Sequence, residues 1–334
     1  MNVLVTGGTG FLGRRLALRL QNSGLDVTAA GRNMHIGRRL QEEGIRFAAA
    51  DLRLREEAEP LIKGQDVVFH CAALSSPWGR YEDFYESNVL ATKWLTRACL
   101  SGGVSRLVYV STPSVYFNYK NRLDIKEDTP FPPKPANLYA KTKIMAEQIV
   151  DRASAEGLPV ITIRPRALFG PGDTTILPRL IEANARGRLP LIDGGRALID
   201  ATYVDNVVDA LVLAMKAPAE LNGRKYNITN GEPLPFKQLL DNLFTKLDQP
   251  MRPIHLSYRK AMIAAAFMEG SARLFRKNRE PQLTRYTVGV IARSQTLDIQ
   301  AAIQELGYRP SITIDEGLDR FVQWWKERRV EGAL

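Results

Sequence analysis

The sequence predicts an α/β fold, a doubly wound parallel sheet with helices on both faces. Short β-branched apolar runs are separated along the chain by segments of helical periodicity. The runs do not alternate between polar and apolar residues, which indicates strands that are covered on both sides. Folds of this class bind ligands where the strands end, so the residues that follow each strand are the candidate site residues.

The elements follow one another from the first residues onward. Predicted strands are NVLVT at 2–6, DVTAAG at 26–31, IRFAAAD at 45–51, DVVFHCAA at 66–73, RLVYVST at 106–112 and LPVITIRP at 158–165. A first helix ends near Gly24, and further helices are predicted at about 53–63, 82–102, 137–156 and 175–187. The regularity fades from about residue 188. This pattern predicts a sheet domain over 1–187 and a smaller substrate lobe over 188–334, from which some segments return to the sheet.

The composition limits the class of protein. The 334 residues are 45% apolar and 25% charged, as in soluble globular proteins. The net charge of +10 is spread over the whole chain without an aromatic-interleaved basic motif, so we expect no nucleic-acid partner. Two cysteines, three scattered histidines and no long apolar segment predict a cytoplasmic protein without a structural metal.

A glycine motif follows the first strand. The stretch TGGTGFLG carries Gly7, Gly10 and Gly13 as G-x-x-G-x-x-G. Side chains at the first glycines would keep the amides of a helix N-terminus away from a pyrophosphate. An ordinary strand-to-helix turn is the alternative, but the position in the first βα unit favours a dinucleotide site.

The residues at the end of the second strand indicate whether the chain binds NAD(H) or NADP(H). An acid at this place commonly holds the ribose 2′-hydroxyl of NAD, whereas a 2′-phosphate requires a cation instead. This chain has Gly31 followed by Arg32, and Arg14 is a candidate second cation. The pattern predicts NADP(H) in preference to NAD(H), although Arg32 could also be a surface arginine at a helix start.

The stretch NLYAKTK places Tyr139 four residues before Lys143 in a predicted helix. Residues i and i+4 share one helical face, so the phenol and the ammonium can point in the same direction. Taken alone, a solvated surface pair would explain this spacing equally well.

Eight motifs occur in a characteristic order between residue 1 and about residue 320. They are TGGTGFLG, ADL, HCAA, NVLAT, YVSTPSVY, YAKTK, RPRALFGPGD and ATYVDNVVDA. In this order they resemble the extended short-chain dehydrogenase/reductase superfamily, which has the Rossmann fold. Within it the chain resembles the 3β-hydroxysteroid dehydrogenase branch. Through STPSV, NGEPLP and LTR it is most similar to bacterial reductases of 2-alkyl-3-oxoalkanoic acids.

The resemblance implies catalytic roles. Tyr139 would be the general acid/base, with its pKa lowered by the ammonium of Lys143, which would also hold the nicotinamide ribose. Thr112 would hold the substrate carbonyl oxygen, with Ser111 as the alternative one residue back. Ser114 would lie near the substrate or cap the turn, and Asn88 would either support the active site or be a buried structural residue.

The resemblance also implies a set of cofactor contacts and a homodimer formed through the helices at 82–102 and 137–156. The expected cofactor-binding residues are Gly7, Thr9, Gly10, Phe11, Leu12, Gly13, Arg32, Asp51, Leu52, Ala72, Tyr139, Lys143, Arg164 and Pro165.

The chain differs at several positions from the motifs of related sugar-nucleotide enzymes, and these differences bear on the type of reaction. Pro113 and Ser114 stand where sugar-nucleotide 4,6-dehydratases need two acids, and Arg166-Ala167 lacks the asparagine that is frequent in sugar-nucleotide enzymes. The sequence therefore predicts an NAD(P)-dependent oxidoreductase that interconverts a ketone and a secondary alcohol on an apolar substrate, 3-oxoacyl or 3β-hydroxysteroid-like. A nucleotide-sugar epimerase or reductase and a non-catalytic NADP-sensing protein are the alternatives.

One stretch in the second half has several interpretations. Residues 258–277 place large apolar side chains among cations, namely Met262, Ile263, Phe267, Met268, Leu274 and Phe275. The segment is either an amphipathic helix that faces the core, a mobile apolar lid, or a surface that contacts anionic lipid. The last two interpretations both predict an apolar ligand.

Overall fold

The computed structural model describes residues 1–275 and 280–330, and it is built around a seven-stranded parallel sheet. The sheet has the order β12-β7-β5-β4-β1-β2-β3, as expected for a doubly wound Rossmann fold. The strands are β1 Asn2–Thr6, β2 Asp26–Gly31, β3 Arg46–Ala49, β4 Val67–His70, β5 Arg106–Val110, β6 Arg122–Ile125, β7 Val160–Pro165, β8 Leu168–Phe169, β9 Leu189–Ile192, β10 Leu198–Ile199, β11 Thr202–Tyr203, β12 Lys225–Ile228, β13 Leu234–Pro235, β14 Pro253–Leu256 and β15 Gln295–Leu297.

Helices cover both faces of this sheet. They are α1 Phe11–Asn22, α2 Met34–Glu42, α3 Arg55–Ala58, α4 Tyr81–Phe84, α5 Ala91–Ser101, α6 Leu138–Ala155, α7 Leu177–Ala185, α8 Val204–Lys216, α9 Phe236–Lys246, α10 Tyr258–Phe275, α11 Arg285–Ala292, α12 Gln300–Leu306 and α13 Ile314–Val330. One core lies between the sheet and α1, α2, α8 and α12. A second core lies between the opposite face and α5 and α6. Because the strands are buried on both faces, their sequences are apolar without alternation.

The direction of strand addition reverses between β1 and β4. The chain first builds β2 and β3 on one side of β1, and it then adds β4, β5, β7 and β12 on the other side. β1 is therefore paired in parallel with both β2 and β4. A crevice opens at such a reversal, at the carboxyl ends of the strands.

Residues after 188 contribute to both parts of the molecule. The strand β12 pairs with β7 in the main sheet, and α8 packs in the same core as β1. The remaining segments build smaller sheets, of which the largest has the order β13-β10-β15-β6, and a separate core around α9 and α13. None of the helices in residues 1–275 and 280–330 has the length and apolar character needed to cross a bilayer.

Two predicted helices are interrupted. The segment predicted at 53–63 consists of α3 and a 3₁₀ turn, Pro60–Ile62, because proline lacks the amide that would continue the α-helix. The segment predicted at 82–102 contains a π-helical turn, Tyr85–Leu90, between α4 and α5. This turn carries Asn88 and is therefore part of the site described below.

Candidate active site

A cleft of about 330 Å³ lies at the carboxyl ends of β1 to β4, where the strand order reverses. Seven of the predicted cofactor-binding residues line it, namely Gly7, Thr9, Gly10, Arg32, Asp51, Leu52 and Ala72. The structure thus brings together residues that follow four different strands, from Gly7 after β1 to Ala72 after β4. Asn33, Arg53 and Ser87 also line this cleft, and the sequence pattern did not single them out.

The glycines leave room for the close approach of a ligand. Gly7 has φ +67°, and a Cβ there would lie 2.7 Å from the Ala72 amide nitrogen. A Cβ on Gly13 would lie 2.3 Å from the Gly7 carbonyl oxygen. Helix α1 begins directly after Gly10, so the amides of its first turn have no acceptor within the helix. This cradle fits a dinucleotide pyrophosphate.

Phe11 and Leu12 can serve this cradle only through their backbone amides. Their side chains pack against the apolar core around α9 and α13. Arg14, the predicted second cation, forms a 3.1 Å ion pair with Glu43. Arg14 is not among the residues that line the cleft, and its role as a second cation stays a prediction.

Arg32 is the exposed cation at the end of β2. Its side chain is 60% exposed and lies 3.9 Å from Asp51, measured from Nη1 to Oδ2. Asp51 is instead held at 2.5 Å by Arg53, whose hydrogen bonds keep the pKa of this carboxyl below its usual range. The Asp51 carboxylate is thus occupied by another arginine, and most of the Arg32 guanidinium remains accessible.

The first turn of α6 presents the predicted catalytic pair. Asn137 caps the helix by accepting a 2.8 Å hydrogen bond from the Ala140 amide. Burial raises the pKa of Tyr139 to about 12, while hydrogen bonds with Ser75 and Thr112 act in the opposite direction. Lys143 is 2% exposed and donates a 2.8 Å hydrogen bond from Nζ to the Val110 carbonyl oxygen. Burial lowers the pKa of Lys143 to about 7, although the Glu147 carboxylate opposes this shift.

The expected lowering of the Tyr139 pKa by Lys143 is therefore not what this geometry gives. The lysine is engaged with a backbone carbonyl, and desolvation dominates the titration of the phenol. Tyr139 is a protonated phenol at neutral pH. It is accordingly in the state that a general acid needs.

Thr112 and Ser111 have different partners. Thr112 is hydrogen-bonded to Tyr139 and also caps the turn that follows β5 by accepting from the Ser114 amide at 3.2 Å. The Ser111 hydroxyl donates to Glu147 in the interior. Of the two alternatives, the structure places only Thr112 beside the phenol.

The hydroxyl at Thr112 begins a short chain of hydroxyl groups. It donates to Ser114 Oγ at 3.1 Å, and Ser114 Oγ lies 2.8 Å from the hydroxyl oxygen of Tyr286. Ser75 and Tyr286 are site residues that sequence reasoning missed. Ser75 follows the end of β4, which was the available signal, whereas Tyr286 belongs to α11 and had no local signal.

Asn88 connects the two walls of the site. Its Oδ1 accepts a 2.7 Å hydrogen bond from the Leu74 amide, and its Nδ2 donates to the Leu74 carbonyl oxygen and to Thr142. Leu74 precedes Ser75, and Thr142 precedes Lys143. This buried residue is thus both structural and connected to the backbone beside the candidate catalytic groups.

The structure places the Arg164 side chain away from the dinucleotide cleft. Its guanidinium forms a fully buried 2.6 Å ion pair with Glu147 and donates to the Glu127 carbonyl oxygen. Burial alone would raise the pKa of Glu147, but the hydrogen bond and charge of Arg164 lower it. The guanidinium thus neutralises an interior acid, and the contact of Arg164 with the cofactor stays a prediction. Pro165 follows as the last residue of β7.

A second cleft of about 400 Å³ adjoins the hydroxyl chain at Tyr286. Its lining combines aromatic and apolar side chains with charged ones. The first group includes Trp78, Phe84, Tyr119, Leu138, Ala272 and Tyr286, and the second is Glu269, Arg273 and Arg285. Arg273 covers the Trp78 ring at 5.4 Å, and Arg285 pairs with Glu269 at 2.9 Å. The arrangement suits an apolar substrate whose polar group reaches toward Tyr286.

The helix α10 forms one side of this second cleft. Ala261, Ala265 and Ala272 are buried against the protein, whereas the larger Ile263, Phe267 and Leu274 are exposed. One face of the helix therefore packs in a core, through Ala261, Ala265 and the partly buried Met262, while the other face exposes large apolar side chains. Residues 276 and 277 of the segment lie outside the described part of the chain, as does the side chain of Phe275.

The fold and the glycine-lined cleft at its strand ends define a dinucleotide-binding protein of the Rossmann class. The chain belongs to the NAD dependent epimerase/dehydratase family, which matches residues 3–229. This is the extended short-chain dehydrogenase/reductase class that the sequence motifs predicted.

Characterised relatives cover almost the whole chain. It is 35% identical to the 2-alkyl-3-oxoalkanoate reductase of Stenotrophomonas maltophilia, over 96% of this chain and 98% of the relative. It is 32% identical to the mouse sterol-4-alpha-carboxylate 3-dehydrogenase, decarboxylating, over 96% of this chain and 89% of the relative. The structure of MoeE5 in complex with UDP-glucose and NAD has 28% sequence identity and a TM-score of 0.77, and the match covers 98% of this chain and 100% of MoeE5. The chain is an NAD(P)-dependent oxidoreductase that interconverts a ketone and a secondary alcohol on an apolar substrate.

Proposed function

We propose that this enzyme uses NADPH to reduce the ketone of an apolar 3-oxo acid. The observation that carries the proposal is the position of the Tyr139 phenol beside the Thr112 and Ser75 hydroxyls. Leu74 of the glycine-lined cleft precedes Ser75, and Tyr286 of the second cleft acts on Tyr139. Bound NADPH would supply the hydride that adds to the carbonyl carbon. Tyr139 then donates its phenolic proton to the carbonyl oxygen, so that hydride and proton together give the secondary alcohol.

The other side chains position the reacting groups. The Thr112 and Ser75 hydroxyls lie beside the phenol, where they would orient the carbonyl oxygen of a bound substrate toward it. Lys143 lies one turn further along α6, where it would hold the nicotinamide ribose. Because burial raises the pKa of Tyr139 to about 12, the phenol carries the proton that the reduction requires.

The preference for NADPH is supported by Arg32. Its exposed guanidinium follows Gly31 at the cleft, while Asp51 is occupied by Arg53. Arg32→Ala should weaken NADPH binding roughly 10-fold to 100-fold, as expected for the loss of a charge-assisted phosphate contact, and leave NADH binding nearly unchanged. Arg46→Ala, an exposed arginine on the neighbouring strand, is the matched control in a fluorescence titration. Unchanged NADPH affinity in Arg32→Ala would show that this assignment is wrong.

The names of two relatives indicate a common substrate class. A 2-alkyl-3-oxoalkanoate and a sterol-4-alpha-carboxylate 3-dehydrogenase substrate both have an oxygen on carbon 3 and a carboxylate on the adjacent carbon. A site for such molecules needs a cation near the hydroxyl groups that hold the oxygen.

Arg166 is a suitable cation for that carboxylate. It follows β7, is buried, and donates to Gln295 Oε1, while its Nε has no partner. No carboxylate within residues 1–275 and 280–330 lies within ion-pair distance of it. Burial lowers the pKa of Arg166, and the charge of the buried Asp200 opposes this shift from beyond ion-pair distance. The charge of Arg166 also acts on Tyr286, which contacts Ser114. Because the Arg166 guanidinium is buried without a direct ion pair, this position favours an anionic ligand.

The test is NADPH oxidation with a 2-alkyl-3-oxoalkanoate and with its neutral methyl ester. Tyr139→Phe should lose about 100-fold to 10,000-fold in kcat while it still binds NADPH, whereas Tyr81→Phe should behave like the wild type. Arg166→Gln should lower kcat/KM for the acid about 10-fold or more relative to the ester. An unchanged ratio in Arg166→Gln would contradict the carboxylate assignment, and full activity in Tyr139→Phe would contradict the catalytic one.

A nucleotide-sugar reaction is the second candidate, since the similar MoeE5 structure holds UDP-glucose. Turnover of UDP-sugars in the same assay, without turnover of 3-oxo acids, would replace the first proposal.

We also propose a cytoplasmic location, in keeping with the free thiols of Cys71 and Cys99, and a homodimer through α5 and α6. Light scattering of the eluting protein tests the dimer.

A further inference from the structure

The outer face of α10 has an unusual distribution of side chains. Ile263, Phe267 and Leu274 are 70%, 78% and 74% exposed. Their spacing of four and seven residues places them within one narrow stripe of the helix. The opposite side of the helix packs in a core through Ala261, Ala265 and the partly buried Met262. Three large apolar groups are thus turned outward, which a surface helix that only completes a core does not require.

The charges beside this stripe are of one sign. Arg259 and Lys260 are exposed in the first turn, and Arg273 is exposed in the last. Glu269 is the one acid in the sequence 258–275, and it is buried in the ion pair with Arg285. The exposed side of the helix therefore presents apolar groups and cations without an acidic side chain.

The stripe lies next to the second cleft. Ala272 and Arg273 belong to the lining of that cleft, between Trp78 and Tyr286. A ligand that leaves an apolar phase along α10 would therefore reach the hydroxyl chain without crossing the rest of the protein surface.

We propose that α10 docks on an anionic phospholipid surface, with its axis parallel to the bilayer and Ile263, Phe267 and Leu274 inserted among the acyl chains. Arg259 and Lys260 contact the headgroup phosphates. The combination of an apolar stripe with flanking cations is what interfacial helices use, and electrostatic attraction adds to the apolar contribution. This docking is independent of which ketone the enzyme reduces.

Vesicle cosedimentation of the full chain tests the docking, with phosphatidylcholine alone and with phosphatidylcholine mixed with phosphatidylglycerol. The wild type should pellet with the anionic vesicles only, and high salt should release it. The triple variant Ile263→Ser, Phe267→Ser, Leu274→Ser should lose about 100-fold or more in partitioning. The double variant Arg259→Gln, Lys260→Gln should lose roughly 30-fold.

A matched control removes exposed apolar groups elsewhere. The variant Leu54→Ser, Leu123→Ser changes two exposed leucines outside α10 and should still pellet like the wild type. Melting temperature and NADPH binding establish that every variant is folded. Absence of wild-type binding to anionic vesicles, or equal binding by the triple variant, would overturn the proposal. A dimer in solution that the triple variant abolishes, without vesicle binding, would assign the stripe to a second copy instead.

Discussion

Adjacent hydroxyl residues at the end of β5 have separate tasks. Thr112 lies beside the Tyr139 phenol, whereas Ser111 donates to the buried Glu147. Successive side chains at a strand end point to opposite sides of the sheet. A hydroxyl one position earlier in the chain therefore points into the interior and not into the site. The sequence could not decide between the two, because both are hydroxyls at the same strand end.

This division predicts different effects of two substitutions. Thr112→Val should lower kcat about 100-fold, comparable to the loss of a positioned donor, with a small change in melting temperature. Ser111→Ala should leave kcat nearly unchanged and reduce the free energy of unfolding by about 1–3 kcal/mol, because Glu147 loses a donor. Steady-state kinetics and urea denaturation measure both effects. Thr112→Ser retains the hydroxyl and should restore most of the activity, and a failure to do so would point to packing instead.

Lys143 predicts a dependence of stability on pH. Its pKa falls from 10.5 to about 7 through burial, so between these values the unfolded chain binds one more proton than the folded chain. The stability of the wild type should therefore rise with pH in this window, by up to about 1.4 kcal/mol per pH unit relative to Lys143→Met. Below about pH 7 the difference between the two proteins should become constant.

Urea denaturation of both proteins between about pH 7.5 and about pH 9.5 measures this slope. Subtracting the two curves cancels the other titrating groups, as well as the constant cost of leaving the Val110 carbonyl without its donor. A difference that does not change with pH would show that Lys143 keeps its proton in the folded protein.

At the scale of elements, sequence predicted the strands of the first half better than the helix ends. Runs such as NVLVT and RLVYVST are buried on both faces, so their composition identifies them. The break before Pro60 and the π-helical turn Tyr85–Leu90 depend on local geometry that apolar periodicity does not encode. The orientation of α10 was equally inaccessible, since alanines and larger apolar residues are mixed around the helix.

The π-helical turn makes Asn88 a bridge between the loop after β4 and α6. Asn88→Ala removes its hydrogen bonds to Leu74 and Thr142 in the interior. We expect a loss of about 2–3 kcal/mol in the free energy of unfolding, because buried polar groups become unpaired. We also expect a lower kcat, since Ser75 and Lys143 are displaced relative to each other. Thermal denaturation and NADPH oxidation measure both effects, with the exposed Asn222→Ala as control. Unchanged kcat in a destabilised Asn88→Ala would assign Asn88 a purely structural role.

At the scale of the whole molecule, the motifs predicted the fold class and the region of the dinucleotide cleft. They could not predict the contribution of distant segments. Tyr286 reaches the hydroxyl chain from α11, 147 positions after Tyr139 in sequence, and Arg166 meets Gln295 from β15. Such contacts arise from tertiary packing, which single-sequence periodicity does not contain. For the same reason the sequence indicated that some late segments return to the main sheet but did not identify them.

The return of α8 and β12 to the first core predicts that residues 1–187 do not fold alone. Val207, Val208, Leu211, Tyr226 and Ile228 are buried in the same core as β1 and α1. At about 2 kcal/mol for each buried side chain, their loss removes roughly 10 kcal/mol. That is as large as the whole stability of a typical domain. Fragment 1–187 should therefore lack a cooperative thermal transition and bind a hydrophobic dye, whereas the full chain should unfold cooperatively. A cooperative transition in the fragment, together with NADPH binding, would show that the first 187 residues are an independent domain.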